Sequence, residues 1–374
     1  MRPPIVIIRH TPIDVDLKMY ETFAQLWQSP VTVLAETSFS PERIKCGYRE
    51  SSPYFRTIIL DKELVSLSSY IINHTDSIYI IYGLGQARNL LTILKQYNII
   101  FGIVAERDLS LLSPTFTNRL RKIFHFIRKF RNKQVVSRIK FFLAMGQQGI
   151  DCYYKNYNVD KNILFNFMYC EGSDFLGINT STELHPVKMI YIGRFDYIIK
   201  GLNTLLEAIT RVKGNYSLDL VGGYGKNRKE VLENISHLPY VNYIGIWNNT
   251  EIVEKLNKYD VIIVPSNLDG WNLHCNMAIK AGIAAITTDG AVSDELISAC
   301  GNGLVIPAGD IPAMTKALQK IIDKPQLLNI WKNKITKYVD SISNLSVAQY
   351  MVDVIEYTVL KTNPNRPKCP WVKE

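Results

Sequence analysis

One pattern runs through this chain and leaves few folds open to it. Short unbroken apolar runs, rich in β-branched residues, each give way to a stretch with helical spacing. Ile5–Ile8 (IVII) is the first such run, and 15–27 (VDLKMYETFAQLW) is the first helical stretch. Val31–Leu34, Ser77–Ile81 (SIYII), Ile100–Val104 (IFGIV) and Lys140–Ala144 (KFFLA) continue the series, with the helix ARNLLTILKQY after SIYII. A run apolar on both its alternating faces is a strand covered on both sides. Repeated strand–helix alternation therefore calls for a parallel sheet with helices on either face.

The second half keeps the rhythm more cleanly. Strands are expected at 188–192 (KMIYI), 217–221 (SLDLV), near 241–244, at 260–264 (DVIIV) and at Ala284–Thr287. Helices are expected at 201–212, 227–235, 250–258 and 310–323. At 374 residues the chain is too long for one small core. The expected fold is α/β, with two doubly wound Rossmann-like domains facing across a cleft. Residues 1–171 form the first domain and 188–344 the second. The hinge is placed at 172–187, because 171–187 (EGSDFLGINTSTELHPV) is polar and holds two glycines and a proline. The amphipathic stretch 345–361 and the tail to 374 are expected to pack back on the first domain.

No apolar run reaches the roughly 20 residues that span a bilayer. The start, MRPPIVIIRH, lacks the long apolar region and small-residue cleavage site of a signal peptide, so it reads as a buried strand. The six cysteines are scattered without a CxxC pair, which favours reduced thiols in the cytoplasm. The formal net charge of +9 is local. Residues 109–150 hold no Asp or Glu but nine Lys and Arg, which accounts for the whole excess. Within them, RLRKIFHFIRKFRNK (119–133) sets apolar residues at 120, 123, 124, 127 and 130 among the cations. That spacing is expected of a helix on an anionic membrane surface, with 119–140 as the contact segment and the apolar stripe packed in part on its own sheet. No nucleic-acid module is present, and nucleic acid is not expected as a partner.

The stretch 190–208, IYIGRFDYIIKGLNTLLEA, carries the chemistry furthest. A buried strand runs into Gly193-Arg194, and Lys200-Gly201 opens the next helix. Two cations and a helix N-terminus thus meet at one strand end, where open α/β sheets bind ligands and where N–H groups suit phosphate. Taken alone, Arg194 and Lys200 are equally consistent with ordinary loop residues.

Later motifs weigh in. GRFDYIIKGLNTLLEA, LDLVGGYGK, VNYIGIWNNTEIVEKLNKYDVIIVPS, DGWNLHCNMAIKAGIAAITTDG and GNGLVIPAGDIPAMTKAL stand in order over 186–325. Together they resemble the retaining, GT-B-fold glycosyltransferases of family 4. The first half resembles that family in rhythm only, most closely over 141–169.

The resemblance implies a nucleotide diphosphate sugar as donor and no cofactor or metal. Arg194 and Lys200 would hold the diphosphate and neutralise the leaving group, and Asp269 would bind sugar hydroxyls. Gly193, Gly223, Gly270, Trp271, Asn272 and Asn276 would line the donor site, as would the backbone at the start of the helix after Asp269. Gly245, Ile246 and Trp247 lie where such enzymes contact the base. On the acceptor side, His10, Glu106 and Asp108 are the candidates, with loop polarity or helix capping as the competing reading. Asp14-Val15-Asp16 formally matches a DxD metal motif, but its place at a helix start is better explained by capping and dipole compensation.

The sequence departs from the family at two carboxylates. Asp269 stands for a glutamate, and Met277 stands where a second acidic residue would reach the ribose. Losing one charged acceptor weakens nucleotide binding by roughly 1.5–3 kcal/mol. Asn276 points about 100° away on the helix and replaces it only in part. Asn272 stands for a glycine.

The expected function is therefore transfer of a sugar to a glycan or lipid-linked glycan in cell-surface polysaccharide synthesis, at the inner membrane face. The alternatives are a non-catalytic binding subunit of the same fold, or a sugar-nucleotide epimerase.

Overall fold

The structure, a computed structural model, describes residues 2–45, 47–109, 127, 129–178, 186–223 and 225–372. It divides into two compact units. Met1–Gly172 with Ser343–Pro370 form the first, and Ser173–Ile342 with Trp371–Glu374 form the second.

The first unit holds a parallel sheet of β1 (Ile5–Arg9), β2 (Val31–Ala35), β3 (Arg56–Ile59), β4 (Ile78–Tyr82), β5 (Ile100–Ala105), β6 (Phe142–Met145) and β7 (Leu164–Phe167). The spatial order is β3-β2-β1-β4-β5-β6-β7. β1 is buried at every position, as its unbroken apolar run requires. The helix Leu17–Trp27 packs on the C-terminal helix Asn344–Ile355. That second helix buries one broad face, Val347, Ala348, Tyr350, Met351, Val352, Val354 and Ile355, and leaves Leu345 and Gln349 exposed on the other. It loosens into a π-turn at Glu356–Leu360.

The second unit holds β8 (Val187–Ile192), β9 (Tyr216–Val221), β10 (Val241–Gly245), β11 (Val261–Val264), β12 (Ala284–Thr288) and β13 (Gly303–Ile306), in the order β10-β9-β8-β11-β12-β13. The chain starts in the middle of each sheet, winds one way, then crosses back to wind the other. A topological switch point therefore lies between β1 and β4 in one unit and between β8 and β11 in the other. In the second unit Met189 sits beside Val261 and Ile190 beside Ile262, so β8 and β11 finish at the same sheet edge. The helix Leu202–Ile209 buries Leu205, Leu206, Ala208 and Ile209, and it packs on Ile311–Asp323 through Met314, Ala317, Leu318 and Ile321.

Three strands were not expected from the sequence. β3 and β13 are four residues long, and β7 lies inside the stretch read only as family-like. The helix expected over ARNLLTILKQY is broken into Leu84–Asn89 and Leu91–Gln96. Of the expected hinge, 179–185 lies outside the described residues, and Leu176 donates its N–H to the Lys280 carbonyl within the second unit.

Of the basic segment, 110–126 and 128 also lie outside the described residues. Of its apolar stripe, Ile127 and Phe130 are among the described residues. Ile127 and Phe130 are 44% and 74% exposed, so at these positions the apolar side faces outward. Helix 129–136 is anchored instead by Asn132 and Val135, with Ile139 beyond its end.

Candidate functional site

The site is built from two loops that leave the sheet at the second switch point. The loop after β8 is shaped by Asp196, whose Oδ1 accepts N–H bonds from Ile198 (3.0 Å) and Ile199 (2.8 Å). The loop after β11 is stitched to it. Asn267 and Leu268 both donate their N–H to the Ile199 carbonyl, at 2.9 and 3.2 Å. Asn267 Nδ2 donates to the Ile198 carbonyl at 2.9 Å.

At this seam Lys200 Nζ lies 2.5 Å from Asp269 Oδ2. The two side chains are only 18% and 14% exposed, so water screens the pair far less than it screens a surface pair. Gly201 makes the approach possible. Its φ is +62°, and a Cβ there would stand 1.8 Å from the Pro265 carbonyl oxygen, so only glycine fits. Gly222 does the same on the neighbouring strand β9, where a Cβ would meet the Gly193 carbonyl oxygen at 2.0 Å.

Asp269 gathers further donors. Its Oδ2 accepts from Asn272 Nδ2 at 3.0 Å and from Ser266 Oγ at 3.3 Å. Asn272 caps the helix Leu273–Lys280, with Oδ1 accepting from the His274 N–H at 3.0 Å, while its carbonyl accepts from the Cys275 N–H at 3.3 Å. The His274 and Cys275 N–H groups expected to face a ligand are thus already bonded, the first by the asparagine side chain that stands where the resemblance places glycine. Trp271 and Asn276 are both buried and bond to each other, indole N–H to Oδ1 at 3.0 Å, so they brace the loop. Met277 is buried as well, and Gly270 lies in the same buried loop.

The other expected donor-side residues line the same edge. Arg194 is exposed, and its guanidinium makes no ion pair among the described residues. Gly223 sits against Ile246, which is half exposed, and Tyr243 Oη donates to the Gly222 carbonyl at 2.9 Å. Trp247 lies beside Tyr259, with the Lys255 ammonium over its ring. Along strand ends β10, β9, β8 and β11 the order is therefore Ile246–Trp247, Gly223, Gly193–Arg194, and Asp269. An apolar shelf, a glycine turn, a cation and a carboxylate stand in that sequence.

Three neighbours here were not named from the sequence. Ser266 bonds to Asp269 as described. Asn267 Oδ1 is buried without a hydrogen-bond partner among the described residues. The His274 imidazole is pushed down to about 4 by burial and by the Lys200 ammonium, against the pull of Asp269, so it is neutral at pH 7. A histidine in the first turn after a strand-end carboxylate was the available signal for it.

In the first unit, His10 is exposed and bonds through Nδ1 to Glu36 at 2.8 Å, while Gln86 Nε2 holds the other Glu36 oxygen at 2.5 Å. Tyr153 donates to the Glu106 carbonyl at 2.7 Å, and Tyr157 to Asp108 Oδ2 at 2.5 Å.

The capping role expected of Asp14 and Asp16 is not what the structure shows. Asp16 stands at the N-cap position of Leu17–Trp27 but makes no side-chain cap bond. Its carboxylate turns instead to Arg9, at 3.3 Å, and Asp14 also binds Arg9, at 3.1 Å. Arg9 fills the first switch point, its guanidinium 4.1 Å from the Tyr82 ring centre. Burial opposes the charge on Arg9, but Asp16, Tyr82 and Asp14 outweigh it and hold its pKa well above the ordinary value. Burial likewise raises Asp16 against the pull of Arg9. The phenol hydroxyls of Tyr20 and Tyr82 bond to each other, and Tyr82 donates to Asp16 at 3.3 Å. Only this proximity made the cluster visible; the sequence shows Arg9 as a strand end.

Residues 186–324 match the family model described as glycosyl transferases group 1. Glycogen synthase of Mycobacterium tuberculosis is 21% identical over 146 residues, covering 37% of this chain and 35% of that one. The N,N'-diacetylbacillosaminyl-diphospho-undecaprenol alpha-1,3-N-acetylgalactosaminyltransferase of Campylobacter jejuni is 24% identical over 153 residues, covering 41% and 40%. The chain thus spans two fifths or less of the length of these curated relatives.

Solved structures extend the likeness in fold to nearly the whole chain. Sucrose-phosphate synthase from Thermosynechococcus elongatus superposes with a TM-score of 0.74 at 17% identity, over 97% of this chain and all of that one. The Anabaena protein HepE in complex with UDP gives 0.72 at 12% identity, over 95% and 100%. The fold is the two-domain α/β fold of GT-B glycosyltransferases.

Proposed function

We propose that this protein is a glycosyltransferase that takes a sugar from a nucleotide diphosphate donor held by the second unit. The observation that carries the reading is the Lys200–Asp269 pair at the switch point, with the exposed Arg194 beside it on the same sheet edge. An anionic diphosphate is the ligand that two cations at strand ends recognise, and a carboxylate that accepts hydroxyl protons suits the sugar next to it. The half-exposed Ile246 and Trp247, two strands away, supply an apolar shelf for the base.

Arg194 and Lys200 stabilise negative charge building on the leaving diphosphate, the largest single term in many transfer reactions. Because these cations supply the positive charge, the reaction is read as metal-independent. Retention of configuration follows if the acceptor hydroxyl attacks on the face the diphosphate leaves, with a phosphate oxygen taking its proton. The acceptor, a glycan or lipid-linked glycan, is assigned to the first unit, with His10, Glu106 and Asp108 as the candidate hydroxyl-binding residues.

The exposed Phe130 and Ile127 among Lys129, Arg131 and Lys133 support a peripheral position on an anionic membrane face, on the cytoplasmic side. Cosedimentation with anionic but not zwitterionic vesicles tests this placement.

The test of the whole is incubation with a panel of UDP- and GDP-sugars, scoring slow hydrolysis to the nucleoside diphosphate. No turnover and no binding of any member would sink the reading. Met277, in place of a second carboxylate, favours one alternative: a chain that binds the nucleotide sugar without turning it over. Calorimetric binding with no turnover would select it.

A further inference from the structure

We infer that Nε2 of His274 accepts a hydrogen bond from a hydroxyl of the transferred sugar, making His274 a donor-site residue that reads the sugar rather than the nucleotide. This rests on the donor-site reading above. The argument begins at Asn272, whose amide orientation is settled by its partners. Its Oδ1 faces the His274 main-chain N–H at 3.0 Å, and its Nδ2 faces the Asp269 carboxylate at 3.0 Å. A main-chain N–H cannot accept and an ionised carboxylate cannot donate, so the amide stands only one way round.

His274 Nδ1 lies 2.9 Å from that same Oδ1. Facing an acceptor, Nδ1 must carry the ring proton, and the tautomer is thereby fixed. The ring is neutral at pH 7, so Nε2 holds a lone pair. It has no hydrogen-bond partner among the described residues.

The chemistry of that lone pair selects the ligand class. A diphosphate offers no proton to donate, and its oxygen lone pairs would face those of Nε2. A sugar hydroxyl donates to Nε2 and still accepts from a cation such as Lys200. Position selects which hydroxyl. Helical side chains lean toward the helix N-terminus, so a ring at position 274 covers the turn nearest Asp269 and Lys200, the two charged groups that act on it. Met277 lies one turn further along on the same face, on the side the resemblance assigns to ribose. His274 therefore pairs with Asp269 on the sugar.

Two measurements on the full chain test this. In 15N-histidine NMR spectra at pH 7, with His274 assigned by comparison with H274Q, Nδ1 should be protonated and Nε2 bare. UDP-glucose or GDP-mannose should move the Nε2 resonance where UDP or GDP does not. In calorimetry, H274A should bind the nucleoside diphosphate within about 2-fold of wild type but its sugar about 10-fold more weakly, the worth of one hydrogen bond. H274Q should recover some of that loss through its amide oxygen. Equal weakening of nucleotide and nucleotide sugar would move the contact to ribose or phosphate and overturn the inference, as would no weakening of either or an Nε2-protonated ring. In each of those cases the donor-site reading would stand. Wild type that binds neither nucleotide nor sugar nucleotide would overturn both.

Discussion

Lys200 and Asp269, 69 residues apart in the chain, meet at 2.5 Å at the sheet's switch point. Each occupies the other until a ligand competes for it. A diphosphate draws on Lys200, and sugar hydroxyls on Asp269, so binding both ends of one donor exchanges an internal pair for two external ones. That coupling separates the effects of removing either partner.

Lys200→Ala and Arg194→Ala should each lower turnover of the donor by about 10²–10³-fold, the scale for removing one group that stabilises a developing oxyanion. Arg194 is exposed, so Arg194→Ala should change the melting temperature little, whereas Lys200→Ala leaves the mostly buried Asp269 with Asn272 and Ser266 as donors and should lower it. Asp269→Asn should leave nucleoside diphosphate binding in place and lose transfer. Full activity in both cation variants, by assay of released nucleotide, would remove the basis of the assignment.

Met277→Glu should restore an acceptor for the ribose and tighten nucleotide binding about 10- to 100-fold, matching the roughly 1.5–3 kcal/mol scale of a charged hydrogen bond. Met277 is buried, so the free protein should also melt lower, with a larger rise on adding nucleotide. Thermal shift with and without UDP or GDP reads both effects at once.

Arg9→Met should destabilise the first unit by about 3–5 kcal/mol, because it leaves the fully buried Asp16 carboxylate uncompensated. Adding Asp16→Asn should return some of that loss. Urea unfolding midpoints of the single and double variants measure the coupling, and strict additivity would contradict it.

His274 gives stability a pH dependence of known sign. Its folded value lies at about 4, below the ordinary 6.5, because burial and Lys200 outweigh Asp269. Between those values the unfolded chain binds a proton that the folded chain does not. The stability associated with neutral His274 is thus complete above about pH 6.5 and is lost as pH falls toward 4. His274→Gln removes this term, so wild type should lose stability relative to the variant as pH falls through that window. A gap that stays constant in urea titrations from pH 4 to 8 would contradict the shift.

Much of this protein follows from local pattern. Unbroken apolar runs such as IVII and DVIIV determine buried strands, and their alternation with helices determines two doubly wound sheets. Both are properties of neighbours in the chain, so the sequence by itself carries them. It also places Gly193-Arg194, Lys200-Gly201 and Asp269 at strand ends. Short strands escaped it: Arg56–Ile59 and Gly303–Ile306 are too brief to show a period, and the order of the sheet gives them their partners.

The tertiary structure decided what those residues touch. Which strand ends are adjacent depends on the sheet order, a non-local property. From that order comes the Lys200–Asp269 pair, whereas the capture of Asp16 by Arg9 and the bridge at Asn272 each close within one loop and depend on how that loop folds. A hydrogen-bonding side chain takes the partner that burial brings within 3 Å, and no spacing rule along the chain reports that distance. The fixed tautomer of His274 shows the same within one loop, whose fold brings a backbone N–H, a carboxylate and an amide to one place.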